Sequence, residues 1–455
     1  MSAHGAPGPW HGAGDRAGTR GGSGAGRGRR RWAVAVAALA CVAVATVLWQ
    51  LLPGGSAPGA PGAGTAPAPA ETTPAEPENP WGPTAAEVAA ATGRASRMTA
   101  EEVAGQLIVG RLHGTDPQTA ADLVADLHLA GVMVTGSSVA GLEQVLALSE
   151  GVHAAVAADG RDWPGLVSTD NEGGAVQRMS GDVGPWTTFP PFAAAGAAGD
   201  PAVVTDAYRA MATELRASGV TVDWAPVADV TVPGQDVTIG SRSAGEDPDV
   251  VAPAVVAAQR GFLDGGVLPA VKHFPGHGAL TTDSHDALPV QPATERELAA
   301  RDLPPFAAAV EAGVPMVMLA HVDVQAWDPG TPASLSPEAY RVLREELGFA
   351  GVTVTDSLGM GALNAFGDAG DVAVTALRAG ADLLLNPADN AVAHAGVVAA
   401  IKDGTLSREK VDASAGRVIA MMRYQERLAA AAGPVGPEDV GSAAQAARAL
   451  RDAAG

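Results

Sequence analysis

Residues 269–285 read PAVKHFPGHGALTTDSH. An apolar run, Pro269–Lys272, passes directly into a Gly-rich loop that carries His273, His277, Asp283 and His285. Core packing requires no such cluster of titratable side chains, so the stretch reads as a buried strand ending in a functional loop. The same pattern recurs along the chain. Short apolar runs lie at 106–109, 131–134, 166–168, 220–223, 316–319, 352–355 and 382–385, and Ala-rich helical stretches separate them at 201–218, 249–264, 295–311, 337–347 and 369–379. Parallel strands buried on both faces are continuous apolar runs, without polar alternation. Eight of them, alternating with helices at a mean spacing of about forty residues, predict an α/β fold: a (β/α)8 TIM-like barrel forming a single catalytic domain. A doubly wound open sheet is the alternative. No dinucleotide Gly-rich fingerprint and no Walker loop follows any of the runs, so the usual reason for an open sheet is missing.

In a barrel of this kind functional groups collect where strands end and loops begin. That filter selects Asp170, Lys272, His273, His321, Asp356 and Asn386. One Asp after one strand would more often be a helix N-cap than a catalyst. Several polar groups converging on one mouth weaken that explanation.

KHFPGHG at 272–278, followed by Asp283-Ser284-His285, resembles the signature of the bacterial β-N-acetylglucosaminidase branch of glycoside hydrolase family 3, the single-domain β-N-acetylhexosaminidase type. Four further stretches agree, in family order: TDNEGG at 169–174 with Val176-Gln177-Arg178, WAPV at 224–227, IGSRS at 239–243 and TDSLGM at 355–360. Together the resemblance spans residues 97–430. It implies that Asp356 is the nucleophile of a retaining reaction, forming a covalent glycosyl-enzyme, and that His285 is the general acid and base, with Asp283 as its partner. The chemistry suits these residue types. A carboxylate on a rigid strand end can stabilise and then bond to an oxocarbenium-like carbon, and an imidazole can donate and recover a proton near neutrality. The resemblance further implies that Asp170, Arg178, Arg242, Lys272 and His273 bind the non-reducing sugar. Charged groups can bond several hydroxyls at once. Ser241, Ala244 and Gly359 depart from the family's usual pattern, which bears on substrate preference. Gly276 and Gly278 are expected to let the loop swing, bringing His285 to the site when sugar is bound.

The activity so implied is exo-hydrolysis of terminal β-linked N-acetylglucosamine, with peptidoglycan fragments as natural substrate. Within the same family a β-glucosidase or an N-acetylglucosaminide phosphorylase is the alternative, because a histidine acid/base does not repel phosphate. A catalytically silent cell-wall sugar-binding protein is a reading from another class. A metal hydrolase would need His273 and His277 on one helical face, and Pro275 and Gly276 break that helix. No metal and no cofactor is expected.

The ends of the chain carry different information. Residues 1–31 are rich in Gly and Arg, and Trp32–Leu52 runs 21 residues without a charge. As a helix this run is long enough to cross a ~30 Å hydrocarbon layer, and the six preceding arginines would keep residues 1–31 cytoplasmic. The expected plan is therefore a basic cytoplasmic tail at 1–31, a transmembrane signal-anchor at 32–52, a Pro/Ala/Gly-rich linker at 53–83, the catalytic barrel at 84–430 and a C-terminal tail at 431–455. A cleaved signal peptide, leaving a secreted enzyme, is the alternative. Outside residues 1–52 the chain has 23 basic and 49 acidic residues, a formal charge of −26. Such a body repels nucleic acid, so the expected partners are a carbohydrate substrate and, through the N-terminal helix, the membrane. Cys41 is the only cysteine, so the exported part folds without disulfides. With three Tyr and seven Phe in the whole chain, a broad aromatic platform for long polysaccharides is not expected.

Overall fold

The computed structural model describes residues 79–455 apart from Val237. The basic tail, the 32–52 span and the linker up to residue 78 lie outside the described residues. Among the described residues no helix is long and apolar enough to cross a membrane.

All eight apolar runs form parallel strands: β1 (Ile108–Arg111), β2 (Gly131–Val134), β3 (Leu166–Thr169), β4 (Val222–Asp223), β5 (Leu268–Phe274), β6 (Met316–Leu319), β7 (Val352–Thr355) and β8 (Leu384–Leu385). Each pairs with the next up to β7, and β8 pairs with β1 through Ile108↔Leu384 and Val109↔Leu385. The remaining gap is bridged by Val354↔Leu383 and by bonds from Asp382 N to the Thr353 carbonyl (3.0 Å) and from Thr355 N to the Leu383 carbonyl (3.1 Å). The ring is therefore nearly closed, and its C-terminal strand ends face a common mouth. Every residue of β2, β3, β5, β6 and β7 is buried, which is why these strands show no alternation of buried and exposed positions, and the polar side chains they carry, such as Ser168, Thr169 and Thr355, are hydrogen-bonded inside the ring.

At least one helix follows each strand: α1 (Pro117–Asp126), α2 (Leu142–Ala158), α3 (Pro201–Ala217), α4 (Pro248–Asp264), α5 (Leu303–Glu311), α6 (Pro337–Arg341), α7 (Ala369–Ala379) and α8 (Asn390–Asp403), with the short helix Ala193–Ala198 before α3 and the 24-residue helix Arg408–Ala431 after α8. Three of them begin on an Asp-Pro pair. Asp116, Asp200 and Asp247 each accept a bond from a first-turn backbone N–H, and the following proline occupies a position that needs no donor. The stretch expected as one helix over 295–311 is interrupted by a wide π turn at 298–302, just before Pro304 and Pro305, which have no amide hydrogen to donate.

The first strand starts two residues later than its apolar run. Gln106 caps the preceding helix, Ala100–Gly105, and its side chain donates to the His128 carbonyl at 2.7 Å, so β1 ends on Arg111 at the mouth. At the other end of the chain the helix Ala444–Ala454 buries Ala447 and Leu450 in the core, and Ala443 N donates to Glu214 Oε1 at 2.7 Å.

Candidate active site

The mouth holds a cavity of about 590 Å³. All eight residues assigned roles from the sequence border it: Asp170, Arg178, Arg242, Lys272, His273, Asp283, His285 and Asp356. Of the three positions that depart from the family pattern, only Gly359 does so. No Trp, Tyr or Phe is among the lining residues, so a ligand here would be gripped by charge and hydrogen bonds.

Asp356 follows β7 directly. Its backbone N–H is fixed by the Leu319 carbonyl (2.9 Å), and its carboxylate accepts the Ser357 N–H at 2.7 Å. Burial alone would raise its pKa, but the charge of His273, the Ser357 N–H and Lys272 outweigh it and hold the carboxyl below its ordinary range. The group is thus ionised at neutral pH. Beneath it lies His321, whose Nε2 donates to the Ser357 carbonyl (2.9 Å), leaving Nδ1 to accept from the Ser334 hydroxyl (2.7 Å). Burial lowers the His321 pKa, which agrees with this neutral tautomer. The imidazole therefore braces the nucleophile loop.

A second group surrounds Lys272 at the end of β5. Its ammonium contacts Asp170 at 2.7 Å and Glu172 at 2.6 Å. Glu172 also takes both arms of Arg242, each at 2.8 Å. Burial would raise the Glu172 carboxyl, but Lys272 and Arg242 together hold it far below its usual range. The outcome is a fixed array of donors and acceptors, with Asp170 partly open to the cavity. His273 is set by a carboxylate behind it: Nδ1 donates to Asp229 at 2.7 Å, and Nε2 is left facing Arg242 Nη2 at 3.4 Å. Asp229 also accepts the N–H of His277 at 2.7 Å. The Arg178 side chain has no partner among the described residues, which leaves its guanidinium available to a ligand.

The sequence reading did not single out Glu172 or Asp229, and it selected His321 by its place after a strand without giving it a role. Glu172 and Asp229 lie in the motifs already quoted, TDNEGG and the continuation of WAPV. Each is a buried acid beside a buried cation, a relation that chain order does not reveal. Metal chemistry at this site would need converging ligands. His277 is instead committed to Ser284 Oγ (3.1 Å) and Thr238 Oγ1 (3.3 Å), and among the described residues no group of three or more His, Cys, Asp and Glu could hold a metal ion.

His285 stands on the exposed part of the loop after β5, its side chain 70% exposed. Asp283 binds it twice, at 2.8 Å through ring Nδ1 and at 2.9 Å through the backbone N–H. Burial would raise the Asp283 pKa, but these bonds and the histidine's charge hold it below the ordinary range, so it remains an anionic partner. The swinging loop expected from Gly276 and Gly278 takes a different form. Both glycines serve close packing: Gly276 has φ +137° and a Cβ there would lie 2.8 Å from Asp302, while a Cβ at Gly278 would lie 2.2 Å from the Val230 carbonyl. Farther along, the loop is docked on the nucleophile loop, with Gly361 N donating to the His285 carbonyl (3.0 Å) and Ala362 N to that of Ser284 (3.2 Å).

Asp302, beneath this loop, carries a testable pH signature. It is fully buried, and burial pushes its carboxyl up to about 6 despite the Arg301 guanidinium at 2.7 Å. The unfolded value is about 3.9, so the folded state binds this proton more tightly. Its contribution to stability is complete below about pH 4 and is lost as pH rises through 6. Asp302→Asn cannot ionise. Between pH 4.5 and 7.5 the wild type should lose on the order of 1–3 kcal/mol relative to the variant. Urea unfolding at both pH values measures this, and a difference that does not change with pH refutes it.

Comparison with known proteins agrees with this architecture. Residues 99–421 match the family described as Glycosyl hydrolase family 3 N terminal domain. The β-hexosaminidase LpqI of Mycobacterium tuberculosis is 33% identical over 329 residues, covering 70% of this chain and 82% of that protein. Among solved structures, a glycoside hydrolase family 3 β-N-acetylglucosaminidase from Paenibacillus superposes with a TM-score of 0.72 at 34% identity, over 78% of this chain and 69% of that one. A β-N-acetylhexosaminidase from Beutenbergia cavernae does so with a TM-score of 0.67 at 32% identity, over 72% of this chain and 99% of that one.

Proposed function

This chain belongs to glycosyl hydrolase family 3, and from that premise we propose that it is a retaining exo-glycosidase releasing terminal β-linked N-acetylglucosamine from peptidoglycan fragments. The observation that carries the reading is that Asp356 and the Asp283–His285 pair border one cavity, in which Lys272, Arg242 and Asp170 form a fixed polar array.

In the first step the Asp356 carboxylate attacks the anomeric carbon from the face opposite the leaving group. The glycosidic C–O bond breaks, and its oxygen takes a proton from His285. In the second step His285 takes a proton from water, the water oxygen bonds to the anomeric carbon, and Asp356 leaves with its electron pair. Two inversions give net retention. Asp283 stabilises the imidazolium before the first transfer and after the second. Asp170, Arg178, Arg242, Lys272 and His273 bind the sugar hydroxyls, with Glu172 holding Arg242 and Lys272 in place and Asp229 holding His273.

We assign residues 84–430 to the catalytic barrel, 53–83 to a linker whose last residues are already packed on the folded body through the buried Trp81, and 32–52 to a membrane anchor that leaves the barrel outside the cytoplasmic membrane. The support is the uncharged run at 32–52 and the arginines before it. One experiment tests activity and location together: washed membranes and the soluble fraction of cells expressing the full chain are assayed on 4-nitrophenyl β-N-acetylglucosaminide and β-glucoside, with and without phosphate. Free N-acetylglucosamine released by membranes, whether or not phosphate is present, is the expected result. Turnover of the glucoside alone, or sugar 1-phosphate as product, overturns the assignment of reaction. Activity confined to the soluble fraction overturns the anchor.

A further inference from the structure

The face of the barrel opposite the mouth carries a separate cavity of about 190 Å³. Its walls come from the end of the helix Ala85–Ala95, the segment leading into β1 and the loop between α2 and β3, all at the N-terminal ends of strands. Three arginines border it, Arg94, Arg97 and Arg161, together with the carboxylates of Glu102 and Asp159. Outside residues 1–52 the chain has a formal charge of −26, so three arginines around one small cavity run against its composition.

The two carboxylates are engaged by other groups. Glu102 Oε2 accepts the Thr99 N–H at 2.6 Å, closing a capping box. Both oxygens of Asp159 lie 3.0 Å from His128 Nδ1. Asp159 Oδ2 is also 3.1 Å from Arg161 Nε, an ion pair that lacks hydrogen-bond alignment. Arg161 is 6% exposed. Its Nη1 donates to the carbonyls of Leu129 (2.6 Å) and His128 (3.4 Å), but Nε and Nη2, which together form one edge of the fork, have no hydrogen-bond acceptor among the described residues. Burial draws its pKa down to about 10, so the group is still a cation at neutral pH. Arg94 donates from Nη2 to the Gly160 carbonyl at 3.0 Å, a neutral acceptor. The Arg97 side chain, which is exposed, has no partner among the described residues. A buried charged donor without an acceptor is unfavourable unless a partner from solution supplies one.

We propose that this cavity is a binding site for a phosphate group, held by the open edge of Arg161 and by the guanidinium groups of Arg94 and Arg97. Planar guanidinium edges match pairs of phosphate oxygens, and the space is several times the ~30 Å³ share of one water. Such an anion would tie the helix Ala85–Ala95 to the loop before β3, at the end of the barrel remote from Asp356 and His285. The site is therefore independent of the glycosidase reading. Its ligand is either free phosphate or the head of a phosphate ester.

The test is thermal unfolding of the purified full chain in sodium phosphate and in sodium chloride of equal ionic strength. Wild-type Tm should be about 4 °C higher in about 10 mM phosphate than in chloride. Phosphate also stabilises proteins through exclusion from their surfaces, so the comparison between variants carries the result. Arg97→Gln and Arg161→Gln should each lose most of the rise, whereas Arg178→Gln, at the mouth, should keep it. Should Arg161→Gln fail to fold, the exposed change Arg97→Gln decides alone. Glycerophosphoglycerol, a soluble phosphodiester, separates the two sources: a rise equal to that with phosphate marks an esterified ligand such as a lipid head, and a rise with inorganic phosphate only marks the free ion. No rise with either probe, a rise that Arg97→Gln leaves unchanged, or one that Arg178→Gln abolishes overturns the proposal.

Discussion

Asp356→Ala removes activity on every glycoside, with kcat reduced on the order of 10⁴-fold or more, while the barrel stays folded. The size of the loss follows from the chemistry: without the carboxylate no glycosyl-enzyme forms, and the oxocarbenium-like centre has no adjacent negative charge. The fold survives because the backbone of residue 356 is held by the Leu319 carbonyl at 2.9 Å, a bond that alanine keeps. A modest loss of stability is expected, since the folded state favours the ionised carboxyl and its removal leaves His273 and Lys272 with less counter-charge. Kinetics and thermal unfolding of the purified variant decide the matter. A variant that folds and keeps a tenth of wild-type kcat refutes the nucleophile assignment.

His285→Gln has a substrate-dependent effect. A sugar leaving group departs as a strongly basic alkoxide unless it is protonated, so kcat/KM on disaccharides should fall by about 10²–10⁴-fold. Nitrophenolate leaves without a proton, and its kcat/KM should fall far less. The histidine's ring is bonded to Asp283 alone among the described residues and is 70% exposed, so the fold should be indifferent to the change. Equal losses on activated and unactivated glycosides would exclude a role in acid catalysis.

Much of this molecule is legible in its sequence, for identifiable reasons. Barrel strands buried on both faces are built from apolar and β-branched residues, so MVML announces itself, and so does VTVT, whose buried threonine hydroxyls are bonded within the ring. Helix starts carry their own chemistry, as in the Asp-Pro pairs at 116, 200 and 247. Polar residues directly after such strands stand out because nothing in core packing calls for them. Other features cannot be read this way. Glu172 neutralises Lys272 a hundred residues away, Asp229 orients His273, and His321 supports the carbonyl of Ser357. The two glycines read as a hinge are close-packing positions, because the atoms they approach belong to Asp302 and Val230.

The linear order of residues was enough to predict the barrel-like sheet and to select Asp170, Lys272, His273, Asp283, His285 and Asp356 at its mouth, since periodicity and strand-end position are local properties of the chain; Arg178 and Arg242 were reached only through the resemblance to the family. Tertiary structure alone decided which charges are compensated and which, like Arg97 on the opposite face, are not. Electrostatic compensation depends on distances of a few ångströms between segments as far apart in the chain as Glu172 and Lys272, and only the nearly closed ring brings those segments together.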